Sequence, residues 1–199
     1  MSATQSQDRA TRVSRWKFLA LVMLFAGPVL LATAWYFMAD RFRPVTDSYG
    51  ELIEPAQPIE PFVARTIAAG DYDLDALRGH WTLVHVIDDR CGEACRERIH
   101  YTRQIRDALG HDRIRVRRLA IVPAEGAGLQ LATLLPEHPD LTVLHAGGGL
   151  VTQLPEQRGD ETVFLIDPLG NLMMRFDEDV EPAGILGDLK QLLRVSRIG

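Results

Sequence analysis

Cys91 and Cys95 are the only thiols in the chain, and they stand four positions apart. The spacing has a chemical meaning, because side chains at i and i+4 of a helix share a face with Cβ atoms roughly 5–6 Å apart. Two sulfurs so placed can close a disulfide after a small backbone adjustment, or clamp one soft metal ion. The pair also falls between an apolar strand and a helix start, where the positive end of the helix stabilises a thiolate as nucleophile and as ligand. Nucleophile, redox couple and metal ligand are therefore all open to it. A merely structural bridge would close a loop of about five residues, and short loops gain least from cross-linking.

The six histidines differ in where they stand relative to the pair. His145, at the end of an expected strand, is the best placed, because strand ends on the cysteine side of such a sheet line the site. His100 follows Cys95 by five residues and so lies about 140° round the helix from it. His85 sits inside an apolar strand and reads as a packed core histidine, His80 as a turn residue, and His111 and His138 as solvated. Asp88 and Asp89 directly precede the pair. Hard oxygen donors suit a soft metal poorly, so ordinary loop polarity or tuning of the thiol pKa are their readings.

The elements that must position these residues follow from periodicity. Trp81 to Ile87 is a short apolar, β-rich run that ends at two aspartates, as a buried strand entering a loop does. From about Glu93 to Leu109 apolar residues recur at helical spacing, and Gly110 follows as a C-cap. Ile114 to Val122 is expected as a strand, Leu129 to Leu135 as a short helix and Leu141 to Leu144 as a strand. Thr162 to Ile166 and Leu172 to Phe176 form a hairpin around Asp167-Pro168-Leu169-Gly170-Asn171, and Ala183 to Val195 is an amphipathic helix. The β-α-β-α-β-β-α order gives an α/β sandwich with a mixed sheet.

Ahead of this lies Phe18 to Met38, FLALVMLFAGPVLLATAWYFM, an uncharged run. At about 1.5 Å rise per residue it spans the roughly 30 Å hydrocarbon core of a bilayer. Trp16, Trp35 and Tyr36 are placed as interfacial anchors. A cleaved signal peptide is the competing reading, but no small-residue cleavage site follows in Ala39-Asp40-Arg41-Phe42-Arg43. Arg9, Arg12, Arg15 and Lys17 against Asp8 favour a cytoplasmic N-terminus. The expected organisation is a tail over 1–17, a transmembrane helix over 18–38, a tether over 39–70 carrying Pro44, Pro55, Pro58 and Pro61, and one domain over 71–199.

With a net charge of −5 and a basic tail, the remainder of the chain is acidic. It repels phosphate backbones, and Arg113, Arg115, Arg117 and Arg118 alternate with apolar residues without stacking aromatics between them. Nucleic-acid binding is excluded on these grounds.

Anchor, tether, a strand running into C-x3-C at a helix start, and the strand-turn Phe164-Leu165-Ile166-Asp167-Pro168-Leu169-Gly170 resemble the Sco (SCO/SenC) family of cytochrome c oxidase assembly proteins. The likeness covers about residues 50–195. It implies a thioredoxin-like sandwich behind the transmembrane helix, and copper delivery to, or thiol reduction at, the oxidase copper site. It places Cys91 and Cys95 at the family's two cysteine ligands, and Asp167-Pro168-Leu169-Gly170 at its D-P-x-G turn. The family's ligand histidine would fall within Glu156-Gln157-Arg158-Gly159-Asp160-Glu161, where this chain has none. Gly92 and Arg96 stand where the family has prolines.

His145 is the candidate substitute, giving Cys91, Cys95 and His145 as a metal set that favours Cu(I), since soft thiolates suit it. The expected partners are an oxidase subunit or another copper-site assembly protein, and the membrane. The expected location is a bacterial inner membrane, crossed once, with the domain periplasmic. The alternatives are a general membrane-tethered thiol-disulfide oxidoreductase and a non-catalytic assembly scaffold.

Overall fold

The structure, a computed structural model, describes residues 16–17, 21–34, 48–87, 91–122, 127–145, 149–157 and 162–198. The chain divides into two units, Met1–Asp47 and Ser48–Gly199. In the first, residues 21–34 are α-helical (α1) and mostly exposed. The expected span over 18–38 lies partly outside the described residues, and among those described no helix is long and apolar enough to cross a membrane.

The second unit begins with β1 (Glu51–Pro58), β2 (Val63–Thr66), β3 (Asp71–Asp73) and the short α2 (Leu74–Leu77). β4 (Trp81–Val86), α3 (Glu93–Ala108), β5 (Val116–Val122), α4 (Ala127–Leu134) and β6 (Leu141–His145) follow. β7 (Val163–Ile166), β8 (Asn171–Phe176) and α5 (Pro182–Val195) complete it. All the strands join one eight-stranded sheet in the order β1-β8-β7-β4-β5-β6-β2-β3. β4, β5 and β6 run parallel, and the remaining pairings are antiparallel. The mixed α/β sheet is as expected.

Side chains alternate across the sheet, as a pleat requires. Val84, Phe164 and Ile166 face one apolar layer, covered by α2 and by Ile59, Phe62 and Leu150. Leu83, Leu165 and Met174 face another, where Ile105 of α3 meets Ile185, Leu189 and Leu193 of α5. Beside it, under the first half of α3, lies a third cluster containing both cysteines.

Two expectations change. Within the tether expected over 39–70, residues 51–58 and 63–66 are strands of the sheet, and the compact unit starts at Ser48. β1 is an edge strand, where a proline's missing N–H breaks no ladder, so Pro55 and Pro58 fit. Only Leu52 and Ile53 of β1 turn toward the core, too short a pattern to read as a strand. The strand expected from Ile114 starts instead at Val116, because Gly110–Arg115 is a 3₁₀ helix. Arg115 there donates to the carbonyls of Leu193, Ser196 and Ile198, tying this turn to the end of the chain.

The turns follow their sequence chemistry. Gly110 has φ 60°, the left-handed conformation that ends α3. In the β7–β8 hairpin the Asp167 carboxylate accepts from the backbone N–H groups of Leu169 and Asn171 at 2.9 and 2.8 Å, and from Asn171 Nδ2 at 2.9 Å.

Candidate functional site

The parallel strands bring the chain to the site. Ile87 extends β4, its N–H donating to Ile121 O at 2.9 Å, and Cys91 stands four residues on. Asp88 and Asp89, the expected tuning residues, lie outside the described residues. α3 starts at Glu93 with Gly92 as N-cap, so Cys95 is in the first turn while Cys91 precedes the helix. The two therefore do not share a helical face as an i, i+4 pair would. Their Cα atoms are nonetheless 5.2 Å apart, and the sulfurs form a disulfide. Gly92 makes no side-chain cap, so the first-turn N–H groups keep their positive end at the cysteine loop. Its φ of −66° is the value a proline ring fixes, and a Cβ added there would meet nothing within 4 Å. The backbone thus has the shape that a proline at this position would impose.

Both cysteines are enclosed, at 5% and 6% exposure, among Ile87, Ile99, Val122, Leu131 and Val143. Such a pair can cycle between disulfide and dithiol; as a dithiol it offers two soft ligands. His145, at the end of β6, is exposed and pairs across the sheet with Val122 and Arg65. It follows Val143 by two residues and so lies on the cysteine side of the sheet. Among the described residues no three His, Cys, Asp or Glu side chains gather closely enough to hold a metal ion. The structure thus brings Cys91 and Cys95 together without bringing His145 to them. His100 lies on the exposed side of α3, hydrogen-bonded to Gln104.

Sequence reasoning missed what lies beneath α3. Arg118, one of the arginines that alternate with apolar residues in this stretch, is wholly buried and paired with Asp140 at 3.1 Å. Thr102 Oγ1 joins it to His85 Nε2, 3.0 Å away. His85 is the core histidine expected; burial, then the charges of Arg118 and Arg98, push its pKa down to about 3. Burial pushes the Asp140 carboxyl up, but Arg118 more than offsets this and holds it below the ordinary range. His138, expected in solvent, is buried, and its pKa is lowered by that burial and by Arg118 and Arg103. Arg98, three residues after Cys95, donates to the carbonyls of Asp177, Glu178 and Val180, fastening α3 to the turn before α5. The available signal was an arginine and a histidine at inward positions of otherwise apolar strands.

The family model of the transmembrane-like, thioredoxin-like C-terminal domain matches residues 81–196, more than half the chain. The chain belongs to that family. No curated protein matches it. Among solved structures it is similar to Bradyrhizobium japonicum ScoI with copper bound, at 19% identity and TM-score 0.53, over 67% of this chain and 98% of that one. Yeast Sco1 is 14% identical with TM-score 0.60, over 72% of this chain and 98% of that one. BsSco, in which a disulfide switch was identified and which is a member of the Sco family of cytochrome c oxidase assembly proteins, is 18% identical with TM-score 0.52, over 71% and 96%. At these identities the likeness is one of fold. The thioredoxin-like sandwich expected for this family member is borne out, and so is its resemblance to Sco proteins at that level.

Proposed function

We propose that the chain is a membrane-anchored, Sco-like factor for cytochrome c oxidase assembly whose Cys91–Cys95 pair exchanges with thiols, or carries Cu(I), at the oxidase copper site. The observation that supports this best is the disulfide at the start of α3 on a thioredoxin-like fold. In exchange, a client thiolate attacks one sulfur of the pair and the S–S bond breaks. The departing sulfur leaves as a thiolate and takes a proton. The client's second thiolate then attacks the mixed disulfide and frees the other cysteine. The client dithiol loses two electrons and becomes a disulfide, and the pair gains them as two thiols. The reverse sequence oxidises a client.

Copper enters this reading as cargo. Reduced Cys91 and Cys95 would hold it, and two thiolates with no third donor gathered among the described residues suit Cu(I) better than Cu(II), which prefers added nitrogen. The donor set favours transient transfer over storage. Phe18 to Met38 supports the anchor, with the N-terminus cytoplasmic and the domain on the oxidising, periplasmic side of a bacterial inner membrane. An oxidase subunit or another copper-site assembly protein is the client this chemistry fits.

The test is alkylation trapping of the full-length chain across glutathione buffers, followed by Cu(I) titration of the reduced form. One two-electron transition is expected, with a midpoint above about −300 mV, the region below which disulfides resist glutathione. One Cu(I) per chain should follow. A pair that stays oxidised throughout refutes exchange, and absence of copper binding with normal exchange moves the assignment to a general thiol-disulfide oxidoreductase.

A further inference from the structure

Arg118 is the most expensive group in the interior. In β5 its neighbours Leu119 and Ile121 fill one apolar layer while Ala120 and Val122 fill the layer that holds the cysteines. Its guanidinium lies under α3 and grips it twice. Nε donates to Thr102 Oγ1 at 3.2 Å, and one terminal nitrogen donates to the carbonyl of Ile99. The other terminal nitrogen donates to both Asp140 oxygens, at 3.1 and 3.2 Å, just before β6. Desolvating such an ion costs several kcal/mol, and an apolar side chain of like volume would often pack as well or better. What the guanidinium adds is geometry, because its planar fork fixes three partners at once.

Ile99 lies one turn beyond Cys95 and shares the apolar cluster of both cysteines. Cys91 is not part of α3; it stands in the segment that follows β4. The approach of the two sulfurs thus depends on where α3 sits along the sheet. We infer that Arg118 is a positioning residue for the Cys91–Cys95 pair, holding α3 at the height on β5 that keeps Cys95 within bonding reach of Cys91. The inference rests on the exchange reading above. Fixing two reacting groups raises the effective concentration of each at the other. Releasing α3 lowers it, and the disulfide becomes easier to reduce.

The experiment trades geometry against charge in the full-length chain. Arg118→Lys keeps the cation without the fork, Arg118→Met removes both, and Thr102→Val removes one of the two grips on α3 at nearly constant volume. Arg115→Met is the control, since the carbonyl contacts it breaks are to α5 and the residues after it rather than to α3 itself. Alkylation trapping in glutathione buffers reads the equilibrium, and thermal unfolding reads stability. Both Arg118 variants should move the equilibrium about tenfold toward the dithiol, or about 30 mV. Thr102→Val should move it the same way by less, and Arg115→Met should lower stability without moving it. Wild-type equilibria in Arg118→Lys and Thr102→Val would overturn the inference even where Arg118→Met fails to fold. A shift in Arg118→Met alone, toward the disulfide, would do so too, by assigning the effect to charge. A wild-type pair that never exchanges overturns the functional reading itself, and the inference with it.

Discussion

Lowering the pH from about 7.5 to about 5 should destabilise the protein by about 2 kcal/mol through His85 alone. In the folded chain burial, with Arg118 and Arg98 alongside, holds this imidazole at about 3, against the ordinary 6.5. Below 6.5 the unfolded chain takes up a proton that the folded chain refuses, so the stabilisation is complete above 6.5 and lost as the pH falls toward 3. Each pKa unit is worth about 1.4 kcal/mol, and roughly one and a half units separate 6.5 from 5. The same loss follows for any folded value well below 5. The assay is urea unfolding at both pH values for the wild type and for His85→Gln, whose amide can still reach Thr102 but does not titrate. The wild type should lose about 2 kcal/mol more than the variant, while His138 and the carboxylates contribute equally to both. Equal losses would show that His85 is not held neutral in the folded chain.

Three further outcomes are expected. If His145 completes the ligand set of the reduced pair, His145→Ala should weaken Cu(I) binding by about tenfold or more in competition titrations, and no loss removes it from the set; His100→Ala should leave binding unchanged, because that ring lies on the exposed side of α3. Asp167→Ala strips the β7–β8 turn of three hydrogen bonds and should lower stability by about 1–3 kcal/mol by denaturant unfolding, with an unchanged value excluding the turn as an anchor of the hairpin. A reporter active only after export, fused after Gly199, should be active, and activity of a cytoplasmic-only reporter there would reverse the proposed orientation.

The part of the fold that was legible is the part whose elements announce themselves locally. β4, α3, the β7–β8 hairpin and α5 each carry a periodic pattern or a turn with its own chemistry, such as Asp167 and Gly170. β1 and β2 carry none: they are edge-side strands whose order comes from partners far along the chain, Glu51 with Arg175 and Arg65 with His145. At the site, the cysteine pair was visible because its two members are near neighbours in sequence. The cluster beneath it was not, since His85, Thr102, Arg118 and Asp140 come from four separate segments and meet only when β4 and β5 pair under α3. An arginine at an inward strand position looks, in sequence, like one on the outward face of a neighbouring register.

The burial of the cysteines makes their chemistry mechanical. Sulfurs that pack with Ile99, Leu131 and Val143 cannot part without disturbing that cluster, so oxidation state and tightness of packing form one thermodynamic cycle. In such a cycle the influence is mutual and equal in size. In the proposed exchange, a client that pressed α3 onto β5 and β6 would withdraw electrons from the pair by favouring the disulfide, and one that levered the helix outward would supply a site ready to accept them. Under the proposed exchange, the direction in which the pair runs would be set by contact with the client as much as by the potential of the surrounding thiols, and the same pair could act as oxidant toward one partner and reductant toward another.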